Sequence, residues 1–339
     1  MAFVSSRRRM ASFGVALDID GVLLRGRDGV LPGARRALEL LRRHRVPHIF
    51  MTNGGGILEE DKAKQLESLL GGGDGVINAD SQILLAHTPM KDLVPELKNS
   101  TVLVLGCKDE IAVARKYGFR FPVTPQAYVR DHPEMYPFLK TSTRVPDTSP
   151  GVMHPIGAVL IMHDPVDWHL ELQVCCDVLR GVDPMSTEHR RQIPLYNSNQ
   201  DFVYADKYPS PRFAQGCFLL SLETLYQNFF DQRVDLNAPP IEIIRMGKPH
   251  LVTYKYAEKM MREQIGDAHP IQRFYGVGDN LASDIAGANG AGWRSALVLS
   301  GVYQPSGVYG REEDPPAHMI EQGVLEVIEK ILAAEGIHV

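Results

Sequence analysis

The chain has 339 residues, more than one ordinary hydrophobic core supports, so one large or two smaller domains are expected. A hydrophobic share of 44% against 23% charged residues is that of a globular protein, and a formal net charge of -5 argues against nucleic acid, which needs a basic surface. No apolar run approaches the roughly 20 residues that a membrane-spanning helix needs.

Cys107, Cys175, Cys176 and Cys217 lack regular spacing, which excludes a disulfide scaffold and fits a reducing compartment. Cys175 and Cys176 fall in the helix-like ELQVCCDVLR, where cysteine packs as a small hydrophobe. Residues 1–17 hold Arg7, Arg8, Arg9 and several serines, and the first acidic residue is Asp18. That is the composition of a mitochondrial transit peptide, though short for one; a trimmed remnant or a solvated tail of a cytoplasmic protein are the alternatives. Residues 1–12 are set apart as a tail.

The run from Val15 through Leu17 to Asp18 and Asp20 is apolar, ends in two carboxylates and meets Gly21, as a buried strand opening into a loop does. GVLLRGRDGVLPG has room for a small hairpin. A helix follows with Ala34, Ala37, Leu38 and Leu41 on one face, then a second apolar strand over 46–51 that ends at Thr52, Asn53 and Gly54. Strand, helix and strand in this rhythm indicate a parallel sheet with crossover helices.

The middle of the chain has its own strands over 101–106 and 156–162 and helices near 109–117, 167–180 and 212–229. Around 121–155 it is proline-rich and predicts an ordered loop. The strand–helix rhythm then returns: a strand over 241–244 leading to Gly247-Lys248-Pro249, a helix from about His250 to Arg262, and a strand over 274–278 that ends at Asp279 and Asn280. A helix through Ile285 and Ala288 and a last strand over 295–299 complete it. The expected architecture is α/β, a Rossmann-like doubly wound parallel sheet built from 13–81 and 243–339, interrupted by an α/β domain over 82–242.

Ligands of an open parallel sheet bind outside the carboxyl ends of its strands. Four such ends carry polar residues: Asp18 with Asp20, Thr52 with Asn53, the turn at Lys248, and Asp279 with Asp284. Together they can hold a hard divalent cation and a phosphate at once. Each alone is ambiguous, since an aspartate at a strand end is more often a cap or turn former. A dehydrogenase built on Gly276-Val277-Gly278 is disfavoured, because the third glycine of the dinucleotide fingerprint is missing and the motif lies far from the first strand.

The set resembles the haloacid dehalogenase superfamily. Asp18-Ile19-Asp20-Gly21-Val22 is similar to its motif I, Met51-Thr52-Asn53 to motif II, Gly247-Lys248-Pro249 to motif III, and Gly278-Asp279-Asn280 with Ser283-Asp284-Ile285 to motif IV. The long gap between motifs II and III resembles an inserted C2-type cap, and TNGGG with GDNLASDIAG resembles the class IIA, NagD-like branch. Thr124-Pro125-Gln126 and the segment from His132 through Tyr136 to Phe138 resemble a eukaryotic, largely mitochondrial subfamily related to the cat-eye-syndrome-region protein.

The resemblance implies a magnesium-dependent phosphatase acting on a small phosphorylated metabolite. Asp18 would be the nucleophile, Asp20 the acid and base, and Thr52 and Lys248 stabilisers of charge. Mg2+ would be held by Asp18, the Asp20 carbonyl, Asp279 and, through water, Asp284. Thr52, Asn53 and Gly54 would contact the phosphate. Asn199-Gln200-Asp201 resembles the TNxD element of related caps, with Gln200 where proline is common, so Asn199 and Asp201 are substrate-facing candidates, with a turn role equally open. Arg130, His132 and Tyr136 are polar, and surface exposure accounts for them as well. A silent scaffold that binds a metabolite or protein is the alternative, opposed by the intact set of motif residues, and the sequence leaves room for a homodimer.

Overall fold

A computed structural model describes residues 11–26, 29–71, 73, 75–138, 154–181, 192–204, 208, 210–232, 240–266, 270–303 and 316–338. Most of the 1–12 tail therefore lies outside the described residues. The chain divides into two compact units, one formed by 1–52, 59–84 and 248–339, the other by 53–58 and 85–247.

The first unit is built on a six-stranded sheet: β1 (Phe13–Leu17), β4 (His48–Met51), β5 (Ile83–Leu84), β13 (Arg273–Gly278), β14 (Arg294–Val298) and β15 (Met319–Glu321). Their order is β15-β14-β13-β1-β4-β5 and every pair is parallel. All five residues of β1 are buried, the continuous apolar run that a parallel strand covered on both faces requires. The chain runs outward from β1 to β5 on one side and from β13 to β15 on the other, so the strand order reverses between β1 and β13.

Helices α1 (Ala34–Arg43), α2 (Glu59–Leu70), α3 (Ala79–Gln82), α9 (Leu251–Ile265), α10 (Ala286–Gly290) and α11 (Val324–Ala334) complete this unit. Helix α1 buries Ala34, Ala37, Leu38 and Leu41, the stripe read from the sequence. Helix α9 packs Tyr254, Ala257, Met260 and Met261 with Phe274 and Trp293, whose rings stack. The hairpin expected after motif I is β2 (Leu24–Arg25) paired antiparallel with β3 (Gly29–Val30).

The second unit has its own parallel sheet, β12-β9-β8-β6-β7, from β6 (Thr101–Leu105), β7 (Phe121–Val123), β8 (Ile156–Ile161), β9 (Pro194–Asn197) and β12 (Glu242–Arg245). Alternation along β6 and β8 splits their apolar residues between two cores. Leu103, Leu105, Val159 and Ile161 face one side with Tyr128, Val174 and Phe218; Val102, Val104, Ala158 and Leu160 face the other with Met90, Val113 and Phe119. Helices α4 (Val94–Leu97), α5 (Glu110–Tyr117), α6 (Pro125–Asp131), α7 (Trp168–Leu179) and α8 (Gln215–Asp231) and a hairpin of β10 (Val203–Tyr204) with β11 (Arg212–Phe213) fill out the unit. Cys175 and Cys176 are buried in α7 and carry raised thiol pKa values, through burial first.

Several sequence expectations need correction. β5 extends the first sheet past residue 81 to Leu84, and residues 53–58 group with the second unit. The strand expected over 241–244 is β12, which pairs with β9 in the second sheet, so 243–247 do not belong to the first unit. The strand over 295–299 is not the last, since β15 and α11 follow it. Within the supposed loop of 121–155, the described part contains an edge strand, β7, and helix α6, capped by Thr124 accepting the Ala127 amide.

Candidate active site

Leu17 at the end of β1 pairs with Val277 of β13, so Asp18 and Asp279 leave neighbouring strands side by side where the strand order reverses. Beyond Asp279, the Asn280 side chain accepts the amides of Ala282 at 2.9 Å and Ser283 at 3.3 Å and starts a π-helical turn, Leu281–Ile285. That turn brings Asp284 back against β13. A Cβ on Gly278 would stand 2.2 Å from Asp284 Cβ, so only glycine permits the close approach.

Lys248, which opens the last segment of the first unit, places Nζ 2.6 Å from Asp18 Oδ1 and 2.6 Å from Asp284 Oδ1. The carboxylates of Asp18, Asp279 and Asp284 each offer an oxygen, all within 4.8 Å of one another. Asp18 is 8% exposed, Lys248 3%, Asp279 5% and Asp284 5%. Tyr254 of α9 donates its hydroxyl to the carbonyls of Ser283 at 3.3 Å and Asp284 at 3.2 Å, pinning the turn from beneath.

Electrostatics decide what this cluster can hold. Burial raises the Asp18 carboxyl well above the usual carboxylate range, Asp284 and Asp279 add to the rise, and Lys248 opposes it. Burial likewise leads in pushing Asp279 up to about 6, with Asp284 reinforcing it. For Lys248 burial favours the neutral amine, but Asp18 and Asp284 outweigh it and hold the ammonium charged. When all three carboxylates are ionised they exceed the ammonium by two negative charges; burial opposes that state, and a divalent cation would supply the missing charge. The donors are all hard oxygens, which suits Mg2+ rather than a soft metal.

Thr52 follows β4, is buried, and gives its amide to Leu84 O at 3.1 Å. Asp20 is exposed, with its backbone bridged to Leu24 at the foot of the hairpin, and its carboxylate is not one of the clustered three. Asn53, Gly54, Asn199 and Asp201 belong to the second unit. There Asn53 Nδ2 donates to both oxygens of Asp201, at 3.4 and 3.3 Å, and Gly54 O accepts the Ala86 amide. Asn199 Oδ1 accepts the Asp201 amide at 2.8 Å, the local turn that such a residue forms. Tyr136, read as exposed, is buried and its hydroxyl lies 2.8 Å from His169 Nδ1; His132 packs against Tyr128 and Arg130 reaches Asp131.

The sequence reading missed Tyr254, whose place on an apolar helical stripe reads as core. It also missed the backbone around Asp279. Asp279 Oδ2 accepts the Val302 amide at 2.7 Å, and a Cβ on Gly21 or Gly301 would stand 2.1 or 1.8 Å from that oxygen.

Residues 15–120 match a family described as haloacid dehalogenase-like hydrolase, and residues 245–325 match a HAD-hydrolase-like family. The chain is 35% identical over 323 residues to a mitochondrial hydrolase of Saccharomyces cerevisiae, covering 85% of this chain and 87% of the relative. It is 33% identical over 315 residues to a cardiolipin synthase (CMP-forming)/mitochondrial hydrolase fusion protein of Schizosaccharomyces pombe; the match covers 88% of this chain but only 50% of that longer protein. Its fold is similar to that of a p-nitrophenyl phosphatase from Archaeoglobus fulgidus, with a TM-score of 0.64 at 16% identity over 95% of this chain and all of that one. Matched motifs at both ends of the chain, a relative aligned along most of its length, and a buried carboxylate cluster at the switch point of a Rossmann-like sheet lead to one conclusion: the chain belongs to the haloacid dehalogenase-like hydrolases.

Proposed function

We propose that this hydrolase is a Mg2+-dependent phosphatase that cleaves a small phosphate monoester through an aspartyl-phosphate on Asp18. The observation that carries the proposal is Lys248 buried between Asp18 and Asp284, with the Asp279 carboxylate gathered beside both. Asp18, Asp279 and Asp284 would hold the cation, with the Asp20 carbonyl, and when bound it would neutralise charge on the phosphate and on the attacking carboxylate.

In the first step an Asp18 oxygen bonds to phosphorus as the ester P–O bond breaks, and the Asp20 carboxyl gives its proton to the leaving oxygen. The exposure of Asp20 suits a group that must meet both substrate and solvent. In the second step water attacks phosphorus, Asp20 takes the water proton, and the Asp18–phosphorus bond breaks to release inorganic phosphate. Lys248 favours the ionised form of Asp18 and would balance charge on the transferring group. The Thr52 hydroxyl would donate to a phosphate oxygen, with the Asn53 and Gly54 amides next in the chain as further donors. Asp201 would act by orienting Asn53, and Asn199 by shaping the Asp201 turn. The names of both fungal relatives place them in mitochondria, and we assign this enzyme there too, in agreement with its arginine-bearing N-terminus.

The test is hydrolysis of p-nitrophenyl phosphate with Mg2+, with EDTA, and by Asp18→Asn. We expect Mg2+-dependent turnover that falls by roughly four orders of magnitude in the variant, as for loss of a nucleophile. Near-normal turnover by folded Asp18→Asn would remove Asp18 from that role.

A further inference from the structure

The turn that follows β14 folds back over the carboxyl ends of β13 and β1, and three hydrogen bonds tie it there. Ser300 Oγ donates to the Gly21 carbonyl at 2.7 Å, Arg25 Nη2 donates to the Ser300 carbonyl at 2.7 Å, and the Val302 amide donates to Asp279 Oδ2 at 2.7 Å. Gly21 sits at φ 81°, a left-handed conformation that favours glycine. The backbones of Gly21 and Gly301 thus wall the Asp279 carboxylate on two sides, too closely for any side chain to intervene.

We propose that Ser300, clamped from outside by Arg25, is a positioning residue that fixes the rotation of the Asp279 carboxylate for a divalent cation. The inference rests on the metal-site reading above. An amide held against one carboxylate oxygen leaves the other as the free donor and sets its direction, which matters most for a small ion that demands near-octahedral geometry. Val302 can hold that oxygen only while its turn stays against the β1 exit. Among the described residues the side-chain bonds joining the turn to that exit come from Ser300 and Arg25. Ser300 itself makes no hydrogen bond to the carboxylates or Lys248 among the described residues, so its effect on Asp279 runs through the loop.

The experiment titrates Mn2+ into the full-length, metal-free chain and follows the free ion by electron paramagnetic resonance, which needs no turnover. Ser300→Ala is expected to weaken Mn2+ binding about tenfold, the usual scale for losing a partner behind a metal ligand. The melting temperature of its metal-free form should fall by no more than about 4 °C, as for loss of one half-buried hydrogen bond. Ser300→Thr, which keeps the hydroxyl, should bind within about twofold of the parent. Unchanged Mn2+ affinity in Ser300→Ala overturns the proposal, and so does a loss that Ser300→Thr fails to restore. A parent chain that binds no Mn2+, or binds it equally after Asp279→Ala, defeats the metal site itself, an outcome distinct from failure of the Ser300 role.

Discussion

Both parallel sheets reverse strand order at one point, and at both points titratable side chains stand at the strand ends. At the β1/β13 exits of the first unit the groups are Asp18, Asp279 and Asp284 with Lys248. At the β6/β8 exits of the second they are Cys107, Lys108, His163 and Asp164. His163 Nδ1 accepts the Asp164 amide at 2.7 Å and lies 3.2 Å from Cys107 Sγ, while Lys108 Nζ reaches Gly55 O at 3.2 Å and His163 Nε2 at 3.0 Å. Burial first, then Lys108 and His87, push the His163 imidazole down to about 4, so it is neutral near pH 7 and a weak base. At the second edge the Lys108 ammonium meets a carbonyl and an imidazole, with Asp164, Asp201 and Glu110 nearby; at the first the Lys248 ammonium is shared directly between two carboxylates with a third close beside them. Topology makes both edges eligible for a ligand, but among the described residues only the first gathers three buried carboxylates, a donor set that suits a divalent cation.

The largest expected effect comes from changing the charge at that first edge. Lys248→Met would leave Asp18 and Asp284 facing each other without the ammonium, and we expect turnover to fall about a thousandfold, as when a preorganised electrostatic partner is lost. Removing one member of a buried ion pair costs about 3–5 kcal/mol, so the metal-free variant should also melt earlier, with Mg2+ restoring part of the loss. Turnover by Lys248→Met within tenfold of the parent would show that the ammonium is structural only.

A second, smaller effect follows from pH. The Asp279 carboxyl is raised from 3.8 to about 6, so between those values the folded chain keeps a proton that the unfolded chain has released. More protons bound when folded means that the stability of the metal-free protein falls as pH rises through that window. The cation competes with the same proton. Mg2+ should therefore raise the melting temperature clearly at pH 7.5 and little at pH 5, and Asp279→Asn should remove most of the difference. Equal Mg2+ stabilisation at the two pH values would show that Asp279 does not meet the ion.

Much of the first edge could be read from the sequence because strand ends carry addresses. Asp18 and Asp279 each close an apolar run, and the order of the motifs ties them to Lys248. What could not be read has physical reasons. A short apolar strand before Gly247 reads as part of the first sheet, but β12 is a half-buried edge strand of the second, and nothing in so short a run names the sheet that receives it. The prolines of β7 and α6 read as a loop, yet Pro122 is tolerated in an edge strand and Pro125 suits the first turn of a helix. The Val302 amide has no sequence signature, since every residue but proline offers one. At the second edge, Asp201 resembled a family element, but that its carboxylate meets Asn53, 148 residues away, needed the fold.

The smallest expected effect sharpens the comparison from the other side. Cys107 is half-buried beside an imidazole, the pairing from which a reactive thiolate is often built. Here His163 Nδ1 already accepts a backbone N–H at 2.7 Å, and protonating that nitrogen would set two donors against each other. The nitrogen nearest the thiol is thus already engaged, and the ring is poorly placed to take the Cys107 proton. Cys107→Ser, which preserves a donor of similar size, should change p-nitrophenyl phosphate turnover by less than about twofold, against the orders of magnitude expected at Lys248. It should also leave the protein's sensitivity to iodoacetamide inactivation unaltered. A large loss of turnover, or inactivation of the parent that Cys107→Ser abolishes, would mean that the second sheet carries chemistry of its own.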